Sequence, residues 1–233
     1  MHYFFDPAII EDSDRISQSE LIHFKSLRIA KDEQIAITSG KGFGFEAKVI
    51  DPQTGLIEIG KKLVAKPRVA IHLVQSIAKG GRDEAALQAA TEMGIASATA
   101  LQAERSISRW DSKIEKNLNR WQQIAIAAIK QSQQLVLPDI HHCESVGKLQ
   151  PTGMALVLDP QAEMQIGEVA ASDSYTVVVG PEGGFGQAEL DELSSKGFVA
   201  VRLGDSVLRT STAGAVAIGC LQLISGEFGK RLD

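Results

Sequence analysis

The chain has 233 residues, 44% of them hydrophobic and 23% charged, with a formal net charge of -5, the make-up of a soluble globular protein long enough to bury a sizeable core. No apolar run approaches the roughly 18 residues of a membrane helix, and the opening MHYFFDPAII lacks the regions of a secretory leader, so a cytoplasmic protein with no membrane is expected. Cys143 and Cys220 lie far apart and fit no paired ligand spacing, which argues against a disulfide framework and a metal site and makes both read as buried thiols.

Residues 17–29, SQSELIHFKSLRI, place Leu21, Phe24, Leu27 and Ile29 at near-helical spacing behind Ser17 and Ser19 as caps, which predicts a short helix. QIAITSGKGFGFEAKVIDPQTGLIEIG then alternates apolar and polar residues in three segments, broken at Gly40-Lys41-Gly42 and between Asp51 and Gly55. A meander closed into a small barrel is expected. The pattern changes at Lys66-Pro67-Arg68, where a domain junction is expected. From Val69 onward the strand-like runs VAIHLV, SATAL, MALVLD, TVVVG and FVAVRL alternate with helical patterns, the signature of βαβ units around a mostly parallel sheet.

Helices are predicted over 83–93, stopped by Gly94, over 112–132, and over 187–196, stopped by Gly197. The second carries Ile114, Leu118, Trp121, Ala125, Ala128 and Ile129 on one stripe. A last helix begins at residues 210–212, whose hydroxyls are expected to cap it, and runs to Gly226. It is apolar nearly all round, so burial on more than one side is expected, in the core or against a second subunit.

The run TVVVG passes into the helix predicted at 187–196 through VVVGPEGGFGQAELDEL, residues 177–193. Ligands in open α/β sheets bind beyond the carboxyl ends of strands, which makes residues 180–186 a candidate binding loop. It is not a G-x-G-x-x-G turn: Pro181 removes an amide that a phosphate cradle would use, and Glu182 would repel a pyrophosphate. The loop suits a ligand of little negative charge approached closely by glycine backbone; the plainer alternative is a tight turn with an acid favourable to the helix dipole. A second stretch, LGDSVLRTSTA at 203–213, again puts a glycine at a strand end and presents Arg209, Thr210, Ser211 and Thr212 at a helix start. Asp205, about twenty residues after the loop, is the sole encouragement for a nicotinamide-binding reading, against which Pro181 and Glu182 stand.

GPEGGF followed by LGDSVLRTSTA resembles the ribosomal RNA small subunit methyltransferase E family. His23 with Leu27 and Arg28 is similar to its H-x-x-x-L-R pattern. Lys79-Gly80 with Arg82, Thr91-Glu92-Met93-Gly94, Glu104-Arg105-Ser106, Trp121, Gln131-Ser132 and Pro138 follow the family's order. The chain departs from the family pattern at Ala89, Lys130, Gln134 and Ser211. The resemblance implies a PUA-like β-barrel for RNA over residues 1–67 and a SPOUT-type α/β methyltransferase domain over 68–233 whose chain end threads a trefoil knot. It implies a homodimer that transfers methyl from S-adenosylmethionine to N3 of a uridine in 16S ribosomal RNA, within the small ribosomal subunit. It places the cofactor on Leu158, Gly180, Pro181, Glu182, Gly183 and Gly184 and on Leu203, Gly204, Leu208, Thr210, Thr212 and Ala213.

Two residues are candidates for catalysis. The uracil N3 is largely protonated at neutral pH, and Glu182 is a candidate base, with service to the loop amides or helix terminus as the alternative. Arg209 is a candidate for stabilising charge on the uracil oxygens, with an ion pair or phosphate contact as the alternative. For RNA, residues 60–82 contain Lys61, Lys62, Lys66, Arg68, Lys79 and Arg82 and no acid, a segregated basic region in an acidic chain, to which Arg28 and Arg105 add. His72 in an apolar strand and Trp121 on a helical stripe read as core. The alternative to an enzyme is an RNA-binding or ribosome-assembly protein of the same fold without catalysis.

Overall fold

The computed structural model describes residues 1–227. In chain order the elements are β1 (His2–Phe5), α1 (Gln18–Leu27), β2 (Gln34–Thr38), β3 (Phe43–Asp51), β4 (Leu56–Val64), β5 (Ala70–Ser76), α2 (Arg82–Glu92) and β6 (Ser97–Leu101). They continue with α3 (Ile114–Gln131), β7 (Asp139–Cys143), β8 (Met154–Leu158), β9 (Ser174–Val179), α4 (Gln187–Ser195), β10 (Val199–Val201) and α5 (Thr210–Ile224). By internal contacts the chain divides into two units, Met1–Pro67 with Ile126–Leu137, and Arg68–Ala125 with Pro138–Asp233. Residues 228–233, the end of the expected second domain, lie outside the described residues.

The first unit is one sheet in the order β1-β2-β3-β4, antiparallel except that β1 runs parallel to β2. The alternation of β2 to β4 is the expected meander. Strand β1 is an addition, since HYFF before Asp6-Pro7 is too short to display a period of two. Phe4 stacks edge-on against Phe24 of α1 at 4.7 Å, over a core of Ile35, Ile37, Phe45 and Val49. Each such fully buried side chain stabilises by about 1.5–3 kcal/mol relative to exposure. Leu27, expected on the inner stripe of α1, is 47% exposed, and Ser17 holds the N-cap position without a side-chain cap, its hydroxyl meeting that of Ser19 instead.

Residues 126–137 join this unit through hydrogen bonds from the Gly42 N–H to the Leu135 carbonyl (2.9 Å) and from the Leu137 N–H to the Gly40 carbonyl (2.8 Å). Lys130, one of the departures from the family pattern, lies 3.0 Å from both carboxylate oxygens of buried Glu20 and 3.2 Å from His23 Nδ1. A buried carboxylate needs such a partner. Lys130 is thus accounted for by a structural ion pair.

The second unit is a six-stranded parallel sheet in the order β10-β8-β9-β5-β6-β7. Its central strands are covered on both faces, which is why they read as continuous apolar runs. Leu73, Val177 and Val179 meet Ala213, Ala217 and Leu221 of α5, while Val74 and Val178 meet Leu193 of α4. Trp110 and Trp121 pack edge-on at 5.3 Å inside the larger core, as their apolar surroundings suggested for Trp121. Helix α5 leaves Val216 and Leu223 exposed, and Cys220 is only partly covered, contrary to the expected buried thiol. The expected hydroxyl caps of α5 are also absent: Arg209 is the N-cap, and the Thr212 hydroxyl donates back to the Arg209 carbonyl.

Candidate active site

Strands β8, β9 and β10 end at a cavity of about 850 Å³ that lies wholly within the second unit. This is the position and size expected of a ligand cleft in an open parallel sheet. Residues 180–184 form one wall. Leu158, Leu203, Gly204 and Leu208 form another, and Thr210 with Ala213 brings the start of α5 to the same space. Thr212, grouped with them on the sequence, does not line the cavity.

The three valines of β9 are buried, so the chain emerges from the sheet at Gly180 and must turn at once. Pro181 fixes the first bend, and the Gly184 N–H closes it on the Pro181 carbonyl at 2.9 Å. Gly184 has φ +65° and Gly204 φ +137°, backbone that a side chain strains, and nothing lies within 4 Å of where a Cβ would stand at either. Main chain at both points is open to close approach. With Leu158, Leu203 and Leu208 around them, these groups fit a nucleoside-sized molecule held by apolar contact and backbone hydrogen bonds.

Two side chains fasten the loop from behind. The Thr210 hydroxyl donates to the Gly180 carbonyl at 3.3 Å, tying α5 to the exit of β9. Buried Glu189 accepts from the N–H groups of Gly186 (3.0 Å) and Glu104 (2.9 Å). It is Glu189, then, that serves the start of α4. A Gly186-x-x-Glu189 spacing is the local sign of such a cap, unread in the sequence.

Glu182 points elsewhere: it accepts from Arg82 Nη1 at 2.9 Å and from the Lys79 N–H at 3.3 Å, with its side chain 21% exposed. Partial burial pushes this carboxyl up, but its own backbone N–H, the Arg82 guanidinium and the Lys79 N–H outweigh that and hold it below the ordinary carboxylate value. Arg105 reaches the carbonyls of Gly183 and Phe185, both at 3.4 Å. Arg82 and Arg105, expected to meet RNA, therefore both line the cavity and touch its glycine loop. Arg209 also lines the cavity, exposed and without a side-chain hydrogen bond among the described residues. Asp205, the acid behind the nicotinamide reading, pairs with Arg202 at 3.0 Å.

The remaining basic residues divide between the units. Arg28, in left-handed backbone at the end of α1 (φ 55°), and Lys61, Lys62 and Lys66 belong to the first, all exposed. The Lys62 ammonium lies 5.8 Å from the centre of the Phe43 ring. Arg68 and Lys79 are exposed in the second. His72 is a half-buried sheet residue whose Nδ1 meets the Ser97 hydroxyl at 2.8 Å.

The parallel sheet, its glycine-lined cavity and all but the end of helix α5 beside it fall within residues 65–222, which match the RNA methyltransferase domain family. Ribosomal RNA small subunit methyltransferase E of Mycobacterium bovis is 35% identical, over 86% of this chain and 82% of the relative, and that of Aquifex aeolicus is 31% identical over 91% and 95%. The chain belongs to the ribosomal RNA small subunit methyltransferase E family. The crystal structure of the Neisseria gonorrhoeae member bound to S-adenosyl methionine superposes with a TM-score of 0.87 at 29% identity, covering 98% of this chain and 99% of that one. A Legionella pneumophila methyltransferase in complex with the bound cofactor SAM gives 0.84 at 26% identity, covering 95% and 96%.

Proposed function

We propose that this protein is an S-adenosylmethionine-dependent ribosomal RNA methyltransferase whose target is N3 of a specific uridine in the 16S RNA of the small ribosomal subunit. The observation that carries the reading is the cavity at the ends of β8, β9 and β10, where the open backbone at Gly184 and Gly204 meets apolar walls. Relatives of like fold hold the cofactor, and relatives across most of the chain bear the enzyme's name. The cofactor is S-adenosylmethionine; when bound, it supplies an electrophilic methyl on a sulfonium.

The residues of this chain do the rest by positioning. Leu158, Leu203 and Leu208 exclude water around the reacting groups, and the loop at 180–184 offers donors and acceptors in fixed places, so that orientation supplies much of the barrier reduction. Glu182 and Arg209 are the charged groups proposed to stand at the target, and Arg28, Lys61, Lys62, Lys66, Arg68, Lys79, Arg82 and Arg105 the cations proposed to meet RNA. The first unit is proposed as a PUA-like RNA-binding barrel over residues 1–67, which its antiparallel meander supports, and the second as a SPOUT-type knotted domain over 68–233. Exposed Val216 and Leu223 on α5 support a homodimer through that helix. A cytoplasmic site of action follows from a ribosomal RNA substrate.

The test is calorimetric titration with S-adenosylmethionine and, in parallel, NAD, followed by mass-spectrometric mapping of 16S RNA from cells with and without the gene. Saturable binding of the first alone and loss of one N3-methyluridine on deletion are expected. Binding of neither would favour a non-catalytic RNA-binding or assembly protein.

A further inference from the structure

The guanidinium groups of Arg82, Arg105, Arg202 and Arg209 line the cavity, and the structure treats them differently. Arg105 donates from one nitrogen to two neutral main-chain carbonyls of the loop, both at 3.4 Å. Arg209 is exposed and has no side-chain partner among the described residues. Arg202 pairs with Asp205 of the 203–213 turn at 3.0 Å, whereas Arg82 is held by the carboxylate of the glycine loop itself: its Nη1 sits 2.9 Å from Glu182, whose same oxygen also accepts from the Lys79 N–H. A guanidinium has five N–H donors in a rigid fork, and this one uses a single nitrogen on Glu182 while its side chain remains 46% exposed. Electrostatic stabilisation of a transition state requires donors fixed before the reaction begins. Arg82 combines an anchor on the glycine loop's own carboxylate with donors to spare.

From this geometry we propose that Arg82, aimed by Glu182, is the group that stabilises negative charge on the target base, and that Glu182 is its positioning residue rather than the proton acceptor. The inference rests on the uridine-N3 reading above. When the N3 proton leaves to water, the negative charge spreads onto the flanking uracil oxygens; the pair on nitrogen then forms the new N–C bond as the S–C bond breaks with its pair remaining on sulfur. Arg82 carries its full positive charge throughout and donates to an oxygen adjacent to N3, which favours loss of the proton and aligns the nitrogen. A carboxylate already engaged by a guanidinium and two backbone N–H groups is a poor base for an imide, whereas it is well suited to holding a fork in place. Because Glu182 belongs to the cofactor loop and Arg82 to the start of α2, the pair also joins the cofactor wall to the target.

The experiment measures methyl transfer to small-subunit RNA by Arg82→Ala, Arg82→Lys, Glu182→Gln and the double variant, each checked for folding by circular dichroism, with S-adenosylmethionine and RNA affinities measured separately by calorimetry. Arg82→Ala should lower kcat about 100-fold, the loss typical of one oxyanion donor. KM for RNA and cofactor affinity should stay within about threefold, and added guanidinium ion should restore part of the rate. Arg82→Lys should recover less than guanidinium does, since it keeps charge without the fork. Glu182→Gln should lower kcat less than Arg82→Ala, leave the shape of the pH–rate profile unchanged, and add little to the loss in the double variant. The proposal is overturned if Arg82→Ala keeps its kcat, if its defect lies wholly in RNA affinity, or if Glu182→Gln removes the acid limb of the profile while Arg82 is intact. A wild-type protein that methylates no uridine N3 overturns the functional reading instead, so the two failures are separable.

Discussion

The Thr210 hydroxyl donates to the carbonyl of Gly180 at 3.3 Å, joining the first residue of α5 to the first residue of the glycine loop across thirty positions of sequence. Both residues line the cavity. Removing the hydroxyl while keeping the branched shape isolates this tie, and a single hydrogen bond of this kind is worth about 1 kcal/mol net. Thr210→Val should therefore weaken S-adenosylmethionine binding by about fivefold with little change in melting temperature, as read by calorimetry and thermal unfolding. A large drop in melting temperature with unchanged affinity would show that the tie serves the core rather than the loop.

The parallel sheet was legible because its central strands are covered on both faces and so spell unbroken apolar runs such as Val177 to Val179. Strand β7, DIHHC, was not, since an edge strand with two histidines has neither an apolar run nor a clean alternation. At the site, the loop glycines and the 203–213 turn were readable as local patterns. The partners of the charged residues were not: Glu182 and Arg82 are a hundred positions apart, and charge in a sequence shows that a side chain seeks a partner but not which one. Arg82 and Arg105 thus read as RNA ligands, although each also grips the glycine loop. Glu182 read as a base or a helix cap, while the cap was Glu189, three residues into its own helix.

Gly184 provides the sharpest test of the cavity. Its φ of +65° costs an L residue roughly 1–2 kcal/mol, and a branched side chain there would stand where main chain is otherwise open. Gly184→Val should abolish detectable cofactor binding while circular dichroism shows a folded protein. Gly184→Ala, which brings the strain with little bulk, should retain weakened binding. Unchanged affinity in the valine variant would remove this loop from the cofactor site.

His72 sets a pH dependence of stability. Burial holds its imidazole below the ordinary histidine value, opposed by Asp139 and assisted by His141 on β7, which lies beyond β6 in the sheet. The folded state thus prefers neutral His72, and the unfolded chain takes up its proton first as pH falls through about 6.5. Stability from this group is complete above that pH and is lost below it, with a slope of at most about 1.4 kcal/mol per pH unit for one proton. His142, also depressed by burial and stacked on Trp110, acts in the same direction. Urea unfolding at pH 7.5 and 5.5 should show a loss that His72→Gln reduces. An identical loss in the variant would assign the dependence to other groups.

The lysines of β4 and its exit test the RNA surface of the first unit. Lys61 and Lys62 are exposed on the strand, Lys62 beside the Phe43 ring, and Lys66 is exposed just beyond it. In a chain of net charge -5, such a cluster attracts phosphate only locally, so its contribution is visible as counterion release. Each phosphate contact steepens the dependence of log affinity on log salt by about 0.7 to 0.9. Replacing all three lysines by glutamate should lower the slope for small-subunit RNA by about 2 and weaken binding most at low salt. Cofactor affinity should not change, because none of the three lines the cavity. Fluorescence anisotropy across a salt series measures both quantities, and a slope equal to that of the wild type would place the RNA on another surface.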